Sequence, residues 1–281
     1  MFLLFDIGGT NTRIATSRDG ISIESLKITA TPKNFSEGIT VFRHIAQELV
    51  GGEKIMKVAG GVAGPLNKEK SAPLCVPALP AWSAQPLKKE LENILKAQVL
   101  LENDAALAGL AEATTGAGKG YRIVAYLTIG TGVGGVRIVN GNIDANAAGF
   151  EPGHQIIDIE GRQDSPIKNP RYLDDYISGG ALERRYNQRA EYVTDPAIWD
   201  GLARHLAIGL NNTIVHWSPD IVVLGGSMIT KQPGISLPSV EKYLKNFLWI
   251  YETHPPITTS LLGDTAGLYG ALLYLKQYES P

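Results

Sequence analysis

A carboxylate, a glycine turn and hydroxyl or amide side chains follow one another near the N-terminus, at Asp6, Gly8, Gly9, Thr10 and Asn11. Because glycine has no side chain, the backbone amides of such a turn can approach phosphate oxygens closely. Asp6 is a candidate ligand of Mg²⁺, directly or through water, since this ion binds nucleotides with few protein carboxylates and several retained waters. Gly-Gly is also a common hairpin turn, so an ordinary hairpin remains the alternative.

Two further glycine turns offer the same backbone amides. The second spans 130–135 and begins with Gly130, Thr131 and Gly132. It is not a Walker loop, because no Gly-Lys-Ser/Thr follows, and it is not a dinucleotide fingerprint, because a strand is predicted after it. The third, at Gly225, Gly226 and Ser227, follows an apolar strand, and α/β sheets bind ligands at the carboxyl ends of strands. A tight exit turn is the alternative there.

A strand that runs directly into a helix is predicted over 99–113, with Asn103 and Asp104 at the junction. Both residue types are preferred helix N-caps. If Asn103 caps the helix, Asp104 lies in the first turn, where the helix dipole favours the ionised carboxylate. Such a weak base suits phosphoryl transfer, whose loose transition state depends mainly on the position of the attacking hydroxyl. Asp104 is therefore the candidate general base.

The loop 149–154 concentrates hydrogen-bonding groups of the kind that read sugar hydroxyls, with Glu151 and His154 as its candidates. A surface histidine is the alternative interpretation of His154. The other four histidines show no spacing with cysteines or carboxylates that indicates a metal site.

Alternating strands and helices must position these residues. Apolar runs and helical periodicity predict strands at 3–6, 13–17, 57–60, 99–102, 123–129, 136–139, 221–224 and near 260, with helices at 38–50, from 86, 105–113, 196–217 and 266–274. Polar, aperiodic residues 158–170 predict a surface loop. Two strand, glycine-turn, strand units suggest two related halves facing each other across a cleft.

Composition sets wider limits. The 281 residues, 44% of them hydrophobic, are enough for two domains. A net charge of -2 gives no field that would recruit nucleic acid or an anionic membrane. The single cysteine excludes an internal disulfide, and no run of about 18 apolar residues occurs. A cytoplasmic enzyme or binding protein is expected.

In this order, the motifs resemble the ROK family of bacterial sugar kinases and repressors, within the actin, Hsp70 and hexokinase superfamily. The most specific matches are 6–10, 102–105, 130–135, 151–154 and 263–268. The resemblance implies an α/β fold of two ribonuclease H-like (actin-like ATPase) domains hinged around a central cleft. The small domain would comprise 1–113 plus 266–281, and the large one 114–265.

The resemblance also implies roles for single residues. Asp104 would act as the base, and the sugar would be bound by Gly64, Asn103, Asp104, Glu151, His154 and Asp174. Asp174 stands where the family has a glutamate, so its shorter side chain is expected to move or lose that hydrogen bond, and Ala78 replaces a usual asparagine. Family members commonly carry a cysteine-rich zinc motif after the histidine, but 158–172 contains no cysteine, so no zinc site is expected.

The function predicted is an ATP- and Mg²⁺-dependent hexose kinase, with glucokinase favoured. The alternatives are a polyphosphate-dependent glucokinase, a kinase for another hexose such as fructose or N-acetylmannosamine, and a non-catalytic sugar-sensing protein. Repressors of the family carry a helix-turn-helix ahead of the first strand, which is not seen here, so nucleic acid is not an expected partner. A membrane is not expected either, because no apolar run is long enough to span one. A homodimer stays open.

Overall fold

A computed structural model describes residues 1–159 and 171–278. In these ranges the strands are β1 (Phe2–Ile7), β2 (Asn11–Ser17), β3 (Ser25–Ala30), β4 (Lys57–Val62), β5 (Val99–Asn103), β6 (Ile123–Ile129), β7 (Val133–Val139), β8 (Asn142–Ile143), β9 (Ile156–Asp158), β10 (Arg171–Tyr172), β11 (Ile221–Gly225) and β12 (Ile257–Thr259). The helices are α1 (Phe35–Val50), α2 (Leu87–Leu95), α3 (Asp104–Thr114), α4 (Leu173–Ile177), α5 (Gly179–Tyr186), α6 (Pro196–Trp217), α7 (Ser227–Thr230), α8 (Leu237–Phe247) and α9 (Ala266–Gln277).

The chain divides into two compact units. The first is built from Met1–Ala111, Ala145–Phe150 and the described part of Asp264–Pro281. The second is built from Glu112–Asp144 and the described part of Glu151–Gly263. Each unit has its own five-stranded sheet and its own apolar core.

The sheet of the first unit has the order β3-β2-β1-β4-β5. β1, β2 and β3 are antiparallel neighbours, whereas β4 and β5 run parallel to β1. The register places Ile7 beside Val62 and Val62 beside Asn103, so three parallel strands end level with one another. The chain segments that follow Ile7, Val62 and Asn103 therefore lie at the same edge of the sheet.

The sheet of the second unit has the order β12-β11-β6-β7-β8. β6 and β7 form an antiparallel hairpin, β8 is antiparallel to β7, and β11 and β12 continue in parallel from β6, so all five strands repeat the arrangement of the first sheet. The two strand, turn, strand units predicted from the glycine turns are confirmed. Thr128 pairs with Gly225, which brings the ends of β6 and β11 to the same edge.

The hairpin turns are shorter than the sequence predicts. β2 begins at Asn11 rather than at residue 13, and β7 begins at Val133 rather than at 136. Gly134 and Gly135 pair with Thr128 and Leu127 in the ladder, so the second turn contains only 130–132. Glycine runs mark where a turn begins, but they do not prevent strand pairing when the opposite strand offers a regular partner.

Helix signals in the sequence give five of the helices but miss several others, both short and of ordinary length. Asn34 caps α1 through the Glu37 N–H, and α1 ends as predicted before Gly51, whose φ of 59° is left-handed. The pattern did not predict β3, α4, α5 or α8. The predicted loop at 158–170 falls mostly outside the described residues, which resume at Arg171. Within the part of the chain that is described, no helix is long and apolar enough to cross a membrane.

Candidate active site

The junction of β5 and α3 carries Asn103 and Asp104. Asn103 Oδ1 accepts the Ala106 N–H at 2.9 Å, so Asn103 caps α3 as predicted and Asp104 is the first helical residue. The other end of the same side chain, Nδ2, donates to the Gly64 carbonyl oxygen at 3.1 Å. Two residues predicted on the sugar side are therefore in direct contact beside the candidate base.

The backbone around Asp104 is closely packed. A Cβ atom on Gly61 in β4 would lie 2.7 Å from Asp104 Cα, so only glycine lets the first turn of α3 rest on that strand. Asp104 is half-buried, and its carboxylate accepts the N–H of Ala105 at 2.8 Å. The buried Glu102 accepts the Asn103 N–H at 2.9 Å and forms an ion pair with Lys70. Sequence reasoning gave neither Glu102 nor Lys70 a role.

The first glycine turn is held by a residue that the sequence did not single out. Within the turn, Gly8 N–H donates to the Asn11 carbonyl oxygen at 3.0 Å. Thr31, just after β3, donates its N–H to the Thr10 carbonyl oxygen at 2.9 Å and its hydroxyl to the Gly8 carbonyl oxygen at 2.8 Å. Because β3 was not predicted, no sequence signal placed Thr31 beside the turn.

Asp6 lies in β1 immediately before this turn. Its Oδ2 accepts Arg13 Nη1 at 3.3 Å, and Gly267 at the start of α9 packs against its carboxyl group. Burial raises the pKa of Asp6 to about 6, with Arg13 opposing the shift and Asp264 adding to it. A divalent cation would offset both the burial and the Asp264 charge. Mg²⁺ takes one or two protein carboxylates beside nucleotide phosphates, so this donor set fits the ion.

In the second unit, the turn at Gly130–Gly132 is held by the chain segment 174–180. Asp174 Oδ1 accepts the Val133 N–H at 2.7 Å. Gly179 N–H donates to the Gly130 carbonyl oxygen at 2.7 Å, and Gly180 N–H donates to the Thr131 carbonyl oxygen at 3.1 Å. These two glycines begin α5, which the sequence pattern did not predict.

The third glycine turn adjoins the second. Gly226 has a φ of 85°, and a Cβ there would lie 2.3 Å from the Ile129 carbonyl oxygen, so another residue is excluded sterically. A Cβ on Gly130 would lie 4.0 Å from Ser227 Oγ. The structure therefore brings two of the candidate phosphate-binding turns to one edge of the second sheet.

Glu151 and His154 lie in a loop that packs on the start of β7. A Cβ on Gly153 would lie 2.2 Å from the Val133 carbonyl oxygen, which fixes the close approach of this loop. Burial raises the pKa of Glu151, His154 opposes the shift, and Asp174 adds to it. The candidate residues of the second unit are thus electrostatically coupled.

Ordinary protein contacts hold the chain on both sides of 160–170. β9 pairs with β10, and Leu173 N–H donates to the Gln155 carbonyl oxygen at 3.0 Å. The Tyr172 ring meets the His154 ring edge-on at 5.5 Å, and the Tyr176 hydroxyl donates to the Asp158 carboxylate. Among residues 1–159 and 171–278, no group of three His, Cys, Asp or Glu side chains is placed to hold a metal ion.

The chain is similar to known proteins over nearly its whole length. The model of the ROK family matches residues 3–278. Glucokinase of Thermotoga maritima is 27% identical, with 97% of this chain and 96% of that protein aligned. N-acetyl-D-glucosamine kinase of Histophilus somni is also 27% identical, with coverages of 96% and 97%. The crystal structure of a ROK family glucokinase from Streptomyces griseus, in complex with glucose and AMPPNP, superposes with a TM-score of 0.83 at 25% identity, covering 98% of this chain and 99% of that one.

Proposed function

This chain belongs to the ROK family and is a sugar kinase, a phosphotransferase with a hydroxyl acceptor, and we propose that its substrates are ATP and a hexose. Glucose is the favoured acceptor. The observation that carries the proposal is the position of Asp104 at the first turn of α3, beside an Asn103 side chain that is bound to Gly64.

Different residues have different roles in the proposed reaction. Asp104 orients the attacking sugar hydroxyl and accepts its proton as the new bond to phosphorus forms. We propose Gly64, Asn103, Glu151 and His154 as the residues that bind the other sugar hydroxyls. The sugar leaves as a phosphate ester and the donor as ADP.

The donor side uses the glycine turns. Backbone amides of Gly8, Gly9, Thr10 and Asn11, of Gly130, Thr131 and Gly132, and of Gly225, Gly226 and Ser227 bind the phosphates of ATP. Asp6 would hold Mg²⁺, directly or through water. When bound, this ion supplies positive charge that stabilises the transferred phosphoryl group.

Activity assays can identify both the sugar acceptor and the phosphoryl donor by comparing alternatives for each. The relatives include a glucokinase and an N-acetyl-D-glucosamine kinase, so the acceptor panel should contain glucose, fructose, mannose, N-acetylglucosamine and N-acetylmannosamine. ATP and polyphosphate should be compared as donors. A protein that binds a sugar but forms no phosphate ester with either donor would instead be a sugar sensor.

Asp104→Asn is the decisive variant. We expect its turnover to fall by about 10²–10⁴, the usual contribution of a positioned acid or base, while its thermal unfolding stays close to that of the wild type. Asp195→Asn is the matched control, because the exposed Asp195 begins α6 as a cap and asparagine caps equally well. Full activity in Asp104→Asn would refute the assignment of the base.

A further inference from the structure

Asp174 makes two hydrogen bonds with its carboxylate, both inside the protein. Oδ1 accepts the Val133 N–H at 2.7 Å, and Oδ2 accepts the Ser178 hydroxyl at 3.3 Å. A Cβ on Gly132 would lie 3.2 Å from Oδ1, so the carboxylate also rests directly against the glycine turn. Both carboxylate oxygens of Asp174 are thus hydrogen-bonded within the protein, although this side chain was expected to bind sugar.

The segment that follows Asp174 binds the same turn. Ser178 is fully buried, caps α5 through the Ala181 N–H at 3.1 Å, and donates its own N–H to the Asp174 carbonyl oxygen at 3.2 Å. The next two N–H groups, those of Gly179 and Gly180, donate to carbonyl oxygens of the turn. Asp174 and the start of α5 therefore act on the turn as one internally bonded unit.

These contacts determine which way the turn amides point. In a trans peptide the C=O and N–H groups point in opposite directions. Since α5 binds the carbonyl oxygens of Gly130 and Thr131, the N–H groups of Thr131 and Gly132 are directed to the other side of the turn. The Val133 N–H points toward Asp174 instead, and it would lose its acceptor if the Asp174 carboxylate were removed.

We propose that Asp174 is a positioning residue for the phosphoryl donor, which keeps the amides of Thr131 and Gly132 aimed at phosphate, rather than a ligand of the sugar. The inference rests on the proposed function, because the orientation of the turn matters for catalysis only if the turn binds the donor. The aspartate in place of glutamate fits this role, since its short side chain already reaches the Val133 N–H beside Gly132.

The test separates donor from sugar by measuring the KM of each and, without sugar, the Kd of AMPPNP. We expect Asp174→Ala to raise both the ATP KM and the AMPPNP Kd by about tenfold while the sugar KM changes by less than about twofold. Asp174→Asn keeps one acceptor oxygen, so its donor constants should fall between those of wild type and Asp174→Ala. Asp175→Asn, the neighbouring carboxylate on α4, is the matched control and should alter neither constant.

Asp174→Glu gives opposite outcomes for the two roles. If residue 174 positions the turn, the longer glutamate would displace the turn and weaken donor binding. If residue 174 binds sugar, the glutamate would lower the sugar KM. A raised sugar KM in Asp174→Ala with unchanged donor constants would overturn the inference while the wild-type activity leaves the proposed function intact. A wild type that transfers no phosphoryl group would refute the proposed function itself. Should Asp174→Ala fail to fold, the Asn and Glu variants still decide the question.

Discussion

The Asn103 side chain joins Gly64 to the helix that carries Asp104. Its amide nitrogen donates to the Gly64 carbonyl oxygen at 3.1 Å, and its oxygen caps α3 through Ala106 at 2.9 Å. One residue therefore fixes the loop after β4 and the first turn of α3 together. Because the two hydrogen bonds use different atoms, substitution can separate them.

Asn103→Ser should lower activity with little change in stability. Serine caps helices about as well as asparagine, but it is too short to reach the Gly64 carbonyl oxygen. We expect a fall of about tenfold in kcat/KM for the sugar, corresponding to one lost contact of about 1.4 kcal/mol. Asn103→Ala loses the cap as well and should be about 1 kcal/mol less stable in urea unfolding. Wild-type kinetics in Asn103→Ser would show that the Gly64 contact does not position the site.

The ion pair between Lys70 and Glu102 should be asymmetric in its contribution to stability. The Glu102 side chain is 7% exposed and that of Lys70 is 36% exposed, so loss of the lysine leaves a buried carboxylate unpaired, whereas loss of the glutamate charge leaves an ammonium that can turn to solvent. We expect Lys70→Met to cost about 1–3 kcal/mol and Glu102→Gln to cost less, since glutamine can still accept the Asn103 N–H.

Urea unfolding of the two single variants and of the double variant checks this prediction. In Lys70→Met/Glu102→Gln the unpaired charge is gone, so the loss of unfolding free energy should be smaller than the sum of the two single losses. Strict additivity would show that the two side chains do not stabilise one another.

The sequence predicted the main elements around Asp104 better than the contacts that hold the glycine turns. Asp104 was placed correctly because strand and helix propensity changes sharply at Asn103, a strong cap. The contacts of Thr31 and Asp174 were not predictable, because each joins a short element to a distant glycine turn. β3 has the length of β1, but its apolar residues Leu26 and Ile28 are exposed and form no continuous apolar run, while α5 begins with two glycines, which are weak helix formers.

The raised pKa of Glu151 gives the stability of the fold a pH dependence. Burial and Asp174 raise the pKa of its carboxyl group, and His154 only partly offsets them, so the folded chain holds the proton more tightly than the unfolded chain, whose value is 4.5. Stability attributable to this group is thus lost as the pH rises through the folded pKa. Glu151→Gln should be more stable than wild type at neutral pH, and the difference should vanish below about pH 4.5 in thermal unfolding scans.

Protonation of Glu151 favours the folded state, but it should weaken sugar binding. An ionised Glu151 accepts hydrogen bonds from sugar hydroxyls, so protonation should raise the sugar KM at a higher pH than for an ordinary glutamate. Steady-state kinetics as a function of pH would measure this, and Glu151→Gln should give a higher sugar KM without that pH step. The same step in both proteins would assign it to another group.

Thr31 offers a direct test of how the first glycine turn is shaped. The buried Thr31 donates its hydroxyl to the Gly8 carbonyl oxygen at 2.8 Å, and the Thr31 hydroxyl oxygen itself lies 3.0 Å from the Thr12 hydroxyl. Valine has nearly the same shape but no hydroxyl, so Thr31→Val leaves the Gly8 carbonyl without this partner and frees that peptide to rotate. The backbone amides of the first glycine turn would then be less well oriented for binding phosphate. We expect the ATP KM to rise by about three- to tenfold with the sugar KM unchanged.

Thr31→Ser is the matched control, because it keeps the hydroxyl and removes only a methyl group. Its ATP KM should stay near the wild-type value even if its stability falls by about 1 kcal/mol for the lost methyl group. If Thr31→Ser and Thr31→Val raise the ATP KM equally, packing of the methyl group, and not the hydrogen bond to Gly8, would be what orients the turn.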